Sequence, residues 1–161
     1  MAFDAFIKID GIEGESADDQ HQAWIELISY NTGVSQTVSS TASSTGGASA
    51  ERADFEDFAI TKQLDKATPK LAVACADGTH IDSILVELCR AGTEKVKFME
   101  YKMTNCIISG VSTTGGGDFP TETVNINYGK IEWSYTQQKR QGGGASGNVA
   151  AGWDLEKNSK V

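Results

Sequence analysis

The feature that most limits the fold of this sequence is a two-residue alternation of apolar and polar side chains. It returns along most of the chain and is interrupted by a single segment with helix signals. Alternation at this period sends successive side chains to opposite faces of a strand. Phe3, Ala5, Ile7 and Ile9 stand against Asp4, Lys8 and Asp10, which predicts a half-buried strand ending in the glycine-bracketed turn Asp10-Gly11-Ile12-Glu13-Gly14. Residues 24–32 predict a second strand covered on both faces, with Trp24, Ile28 and Tyr30 on one parity and Ile25 and Leu27 on the other. The pattern resumes with Phe58, Ile60 and Leu64 against Asp57, Thr61 and Gln63. It continues over residues 80–90, where Ile84, Val86 and Leu88 align, and over residues 95–111, where Met99, Tyr101, Met103 and Ile107 are in phase.

The last strand, residues 122–136, carries a defect. Val124, Ile126 and Tyr128 are apolar at even positions, whereas Ile131, Trp133 and Tyr135 are apolar at odd ones. A slip at Gly129-Lys130 that keeps the apolar set inward predicts a β-bulge and a strongly curled sheet. The helix segment has Thr68 as the expected N-cap, Pro69 at the first helical position, Leu71, Ala72 and Cys75 at helical spacing, and Asp77-Gly78 as its stop. These elements predict a mainly β fold, a curled two-sheet β-barrel or sandwich with one short α-helix. The 161 residues suit one domain over 1–161. Residues 35–53, rich in Ser, Thr, Ala and Gly, read as a long extended loop that cannot pack a core of its own. Residues 141–148 read as a flexible Gly-rich segment, with Trp153 and Leu155 beyond it placed to anchor the terminus.

Charge narrows the function. Lys and Arg number 14 against 22 Asp and Glu, a formal net charge of -8, the wrong sign for a nucleic-acid binder or for an anionic membrane surface. No basic leader or small-residue cleavage site opens the chain, so no Sec-type signal is expected. No apolar run reaches the roughly 20 residues of a membrane span.

Cys75, Cys89 and Cys106 are widely spaced among apolar neighbours and read as buried small hydrophobes. His21 and His80 have no Cys or His partner at ligand spacing, so neither a metal nor a cofactor is expected and both read as structural histidines. Gly142, Gly144 and Gly147 satisfy G-x-G-x-x-G without the strand–helix context that gives it meaning. Neighbouring acids such as Glu56 and Asp57 face opposite sides of a strand and make no carboxylate pair. Trp24, Trp133 and Tyr135 read as core or interface residues. No catalytic residue is expected and the chain does not read as an enzyme. Two-sided strands and open edges point instead to self-association. The alternative is a small β-sandwich that binds a ligand such as a glycan through its aromatic residues and polar loop.

Ordered segments along nearly the whole chain carry a resemblance. The stretch Phe6-Ile7-Lys8-Ile9-Asp10-Gly11-Ile12-Glu13-Gly14-Glu15-Ser16, with His21, Trp24 and Tyr30-Asn31-Thr32-Gly33, resembles the haemolysin-coregulated protein (Hcp) family of type VI secretion. So do Phe58-Ala59-Ile60-Thr61-Lys62 with Leu64-Asp65-Lys66-Ala67-Thr68-Pro69-Lys70-Leu71, and Ala74-Cys75-Ala76-Asp77-Gly78-Thr79-His80. Cys89-Arg90-Ala91-Gly92, Tyr128-Gly129-Lys130-Ile131-Glu132-Trp133 and Gly152-Trp153-Asp154 follow in the same order.

The resemblance implies a structural subunit of a secretion tube. Six copies form a ring, rings stack, a spike protein caps the tip, a contractile sheath propels the tube, and small effector proteins ride in the lumen. It implies a bacterial protein that is cytoplasmic before firing and extracellular afterwards, with no nucleic-acid partner and no membrane insertion. On the same basis Asn31 is the expected lumen-facing residue, and Val38, Ser40, Thr45 and Ala48 are the expected ring-stacking positions.

Overall fold

A computed structural model describes residues 2–38, 50–92, 95–138 and 145–161. The chain begins with β1 (Phe3–Ile9), β2 (Ile25–Leu27), β3 (Ser29–Asn31), β4 (Val34–Val38), β5 (Ala50–Phe55) and β6 (Phe58–Gln63). Helix α1 (Thr68–Asp77) follows, then β7 (His80–Arg90), β8 (Lys97–Gly116), β9 (Asp118–Gln138), β10 (Ala145–Asp154) and β11 (Ser159–Lys160).

Nine strands form one antiparallel sheet in the order β11-β10-β9-β8-β7-β1-β2, with β6 paired to β9 and β3 paired to β6. The long strand β9 explains the curl. Its first half pairs with β6 and its second half with β10, while β8 runs along its other edge from Met99↔Tyr135 to Gly116↔Asp118. The pairings circle the core, but among the described residues no ladder closes them. β2 and β3 are consecutive pieces of one stretch, the first bonded to β1 and the second to β6, with the Ile28 amide donating to the Thr61 carbonyl at 2.8 Å between them. The expected mainly β fold with one short helix is therefore found in its sandwich-like form, and the circuit is completed by the covalent chain.

Alternation delivers the core. Ile7, Ile25, Phe58, Ile60, Ile84, Val86, Met103, Val124 and Ile126 are fully buried inside the curl, each a gain of about 1.5–3 kcal/mol over exposure. Helix α1 packs on β8 and contributes Leu71 and Ala74 to this core. Its C-terminus is the expected one, with Gly78 at φ 67° and its amide bonded to the Ala74 carbonyl. Its start is displaced from expectation. Ala67 occupies the cap position without a side-chain bond, because the Thr68 hydroxyl is committed elsewhere, accepting from the Asp65 amide at 3.1 Å and donating to Glu122 at 3.0 Å.

Three further expectations are corrected. The phase slip in β9 is real, since Tyr128 and Ile131 are both buried, but it is not a bulge against β8. The register runs unshifted from Thr104↔Lys130 to Cys106↔Tyr128, because β8 slips at the same level. There Asn105 sits at φ 61°, Met103 and Cys106 are both buried, and Ile107, expected in phase with the core, is 42% exposed. The β8–β9 register shifts lie farther on, at Ile108/Gly110 and Thr114/Gly116.

At the two ends of the expected excursion over 35–53, β4 and β5 pair as an antiparallel ribbon of their own, while residues 39–49 lie outside the described residues. The segment expected to be flexible over 141–148 opens β10 from Ala145 on, paired with β9, while residues 141–144 lie outside the described residues.

Candidate functional site

The ribbon stands on two strands alone, and every residue of β4 is exposed. What fixes it to the body is an aromatic stack at its base. The Phe55 ring lies nearly parallel to Trp133 (6.3 Å, 24°) and to Trp153 (6.4 Å, 23°), and meets Tyr128 edge-on at 6.4 Å. Arg52 donates to the Leu155 carbonyl at 2.9 Å, and the Leu155 amide donates to Gly129. Trp153 and Leu155 thus anchor the terminus as expected, and they do so on the root of the ribbon. Val38 ends β4 opposite Ala50 and is 54% exposed. Ser40, Thr45 and Ala48 lie outside the described residues. Asn31 is exposed at the end of β3, paired with Ala59 of β6, and follows the half-buried Tyr30.

Two polar clusters were not foreseen. Lys62 and Glu122 are direct partners across the β6–β9 ladder, and each is only 1% exposed. Lys62 Nζ donates to Glu122 Oε1, to Asp65 Oδ1 at 2.9 Å and to the Gln63 carbonyl at 3.0 Å, and also lies 3.3 Å from Thr68 Oγ1. Asp65 in turn accepts the Ala67 amide at 3.0 Å. The cluster therefore ties the chain's entry into α1 to two strands. A buried charge pair of this kind tolerates no loss of one partner. The signal for it was present in the sequence, because 62 and 122 fall on the inward parity of their strands.

The second cluster surrounds His21, which is buried, as a structural histidine should be. Nδ1 is 2.6 Å from Asp18 Oδ2 and Nε2 is 2.9 Å from Glu87 Oε1, while the Cys89 sulfur lies 4.0 Å from Nε2. The order Asp18, His21, Cys89 suggests a nucleophilic triad, but three facts oppose it. Glu87 occupies the nitrogen that would serve the thiol. Burial, with Glu87 and Asp18 adding to it, pushes the Cys89 thiol up to about 11. The sulfur itself is inaccessible. Cys106 is likewise buried and its thiol raised to about 12 by desolvation, whereas Cys75 on α1 is half-buried.

His80 is exposed, with Nδ1 3.3 Å from Asp82 and Nε2 against Asn105. Among the described residues no three His, Cys, Asp or Glu side chains converge as metal ligands. Trp24 presents its ring edge-on to His21 at 4.7 Å and Trp133 stacks on Phe55, which are packing roles. A shallow apolar groove of about 410 Å³ between α1 and the β1–β2 turn is lined by Ile12, Pro69, Val73 and Ile81, with Asp10, Lys70 and the solvent-exposed His80 as its charged or titratable members.

The described residues define a β-rich fold in which a sandwich-like curl carries a separate two-stranded ribbon with an exposed strand. Residues 6–135 match the family described as type VI secretion system effector, Hcp. The chain is similar to the protein hcp1 of Pseudomonas aeruginosa, 35% identical over 98% of each chain. It is also similar in structure to a type six secretion system protein at 35% identity (TM-score 0.92, 99% of this chain and 100% of the other). A third likeness is to Hcp1 from Salmonella typhimurium at 28% identity (TM-score 0.81, 100% of both chains). The chain belongs to the Hcp family of type VI secretion.

Proposed function

We propose that this chain is a non-enzymatic structural subunit of a type VI secretion tube, acting as one tube domain over residues 1–161. Hexameric rings of it stack, are driven out of the bacterial cell by a contractile sheath behind a spike protein, and carry small effectors in the lumen. The observation that carries the reading is the likeness to Hcp proteins over essentially the whole chain.

In this reading residues 38–48, including Val38, Ser40, Thr45 and Ala48, contribute to the stacking contact, and Asn31 faces the pore. The exposed β4 strand and the aromatic stack at the root of the ribbon support the first assignment. The exposure of Asn31 at the end of β3 supports the second. The chain reaches the outside through the tube itself, having folded in the cytoplasm.

The mass of the native particle tests the ring. A six-chain particle is expected, and a monomer at every concentration overturns the reading. Deleting residues 38–48 is expected to leave rings intact and shorten or abolish stacked tubes under the electron microscope. A cysteine at position 31 is expected to react only with reagents small enough to enter the lumen.

A further inference from the structure

We propose that His21 is held as an imidazolium and acts as a pH-sensitive latch that pins residues 13–24 to the outer face of the β1–β7 pair. The register sets the scene. Phe6 is opposite Glu87, and Asp4 is opposite Cys89. With Ala5, Ile7, Val86 and Leu88 in the main core, Phe6, Glu87 and Cys89 face the other way. Phe6 and Cys89 are nonetheless buried, because the segment between β1 and β2 folds back over them. The lid over this outer face is His21. Its ring stacks flat on Phe6 (4.2 Å, 5°), takes the edge of Trp24, and is 1% exposed.

Both ring nitrogens end on carboxylates, Asp18 at 2.6 Å and Glu87 at 2.9 Å. An ionised carboxylate only accepts hydrogen bonds, and a neutral imidazole has one donor and one lone pair. A neutral ring would therefore set its lone pair against a carboxylate oxygen in a dry site, whereas the imidazolium satisfies both partners.

The surrounding charges favour this state. From the same segment, Asp18 is bonded by Lys95 as well as His21, and those two bonds hold its carboxyl down at about 2. From β7, Glu87 is 3.6 Å from Lys97, and Cys89 remains a neutral thiol below about 11. From β1, Asp4 lies 3.5 Å from Lys95, and the Lys95 ammonium sits 5.4 Å from the centre of the Phe6 ring. From β8, Lys97 is shared with Glu100 at 3.3 Å.

The sign of the device follows. Protonation of His21 supplies attachment that is complete at lower pH and is lost as the ring gives up its second proton at higher pH. The segment keeps its own shape through Gly14 N–H to Ala23, Ala23 N–H to Ser16 and Ser16 N–H to Trp24. What loosens is its attachment to the sheet.

Nitrogen-15 spectra of the full chain with labelled histidine read the ring directly, and amide exchange of residues 13–24, corrected for intrinsic rates, reads the attachment. Both His21 nitrogens are expected to be protonated at pH 7. As the ring deprotonates, protection of 13–24 is expected to fall by about tenfold or more, the equivalent of one charge-assisted hydrogen bond, while β7 and β8 keep theirs. In Glu87→Gln the amide can donate to a neutral ring, so the second proton is lost at lower pH and protection of 13–24 no longer follows it. An unprotonated nitrogen on His21 at pH 7 overturns the proposal. Equal protection of 13–24 before and after the ring titrates overturns it too.

Discussion

Lys62 and Glu122 sit where the alternation of β6 and β9 points inward, in series with Phe58 and Ile60 on one strand and Val124 and Ile126 on the other. Alternation read from apolar residues alone passes over them, although a charge on the buried parity is itself a signal. Their partners could not be read, because Asp65 and Thr68 reach them only once α1 has docked. Removing one partner strands the other charge out of water. Lys62→Met is expected to cost about 3–5 kcal/mol, and the double variant Lys62→Met with Glu122→Leu to recover most of that loss. Urea unfolding of both variants checks this, and a double variant as unstable as the single would show that the pair is worth more than its isosteric replacement. His21 was legible as a buried structural histidine. Glu87, 66 positions away, was not legible as its partner, since nothing local in the sequence puts the two side chains on one face.

At the scale of elements, legibility followed side-chain size. β1, β6 and β7 were visible because large apolar residues mark their period, and α1 because Thr68-Pro69 and Asp77-Gly78 punctuate its ends. β10 was not, because Ala145-Ser146-Gly147-Asn148-Val149-Ala150-Ala151-Gly152 offers one large apolar residue in eight, and pairing with β9 supplies the order that local preference lacks. The slip at Gly129 was visible while its cause was not. A bulge and a matched slip look alike from one strand, and only the facing Asn105 distinguishes them. A Cβ at Gly129 would lie 2.8 Å from Glu156 Oε1 and 3.2 Å from Asn105 Cβ, so a side chain there would press on both.

The ribbon depends on one ring. Phe55→Ala removes contacts with Trp133, Trp153 and Tyr128 and is expected to cost about 2 kcal/mol, with hydrogen-exchange protection of β5 falling before that of β6. The segment over β1 and β7 responds to acid at Asp18. With the carboxyl held at about 2 by Lys95 and His21, its contribution is complete above the ordinary aspartate range and is lost as the pH falls from about 4 through about 2. Wild type is expected to be more stable than Asp18→Asn in urea at pH 5, and the difference to shrink as the pH falls and to close only below about 2.

For the molecule as a whole, the formal charge of -8 constrains the proposed assembly more than any single contact. Several of the cations are already engaged within the chain. Lys62 is buried against Glu122, Lys95 holds Asp4 and Asp18, and Lys97 holds Glu87 and Glu100. Pairing within the chain leaves the net charge of -8 unchanged, so copies brought together in the proposed ring repel one another at long range. Screening shortens that repulsion from a range of about 30 Å at 0.01 M salt to about 10 Å at 0.1 M. Apolar contacts at strand edges and the ribbon are weakened far less by salt, so the balance shifts toward association as ionic strength rises. Sedimentation of the full chain across this range is expected to show larger particles at higher salt. Dissociation on adding salt would mean that ion pairs between copies dominate the contact, and that complementary patches, not screened repulsion, govern assembly.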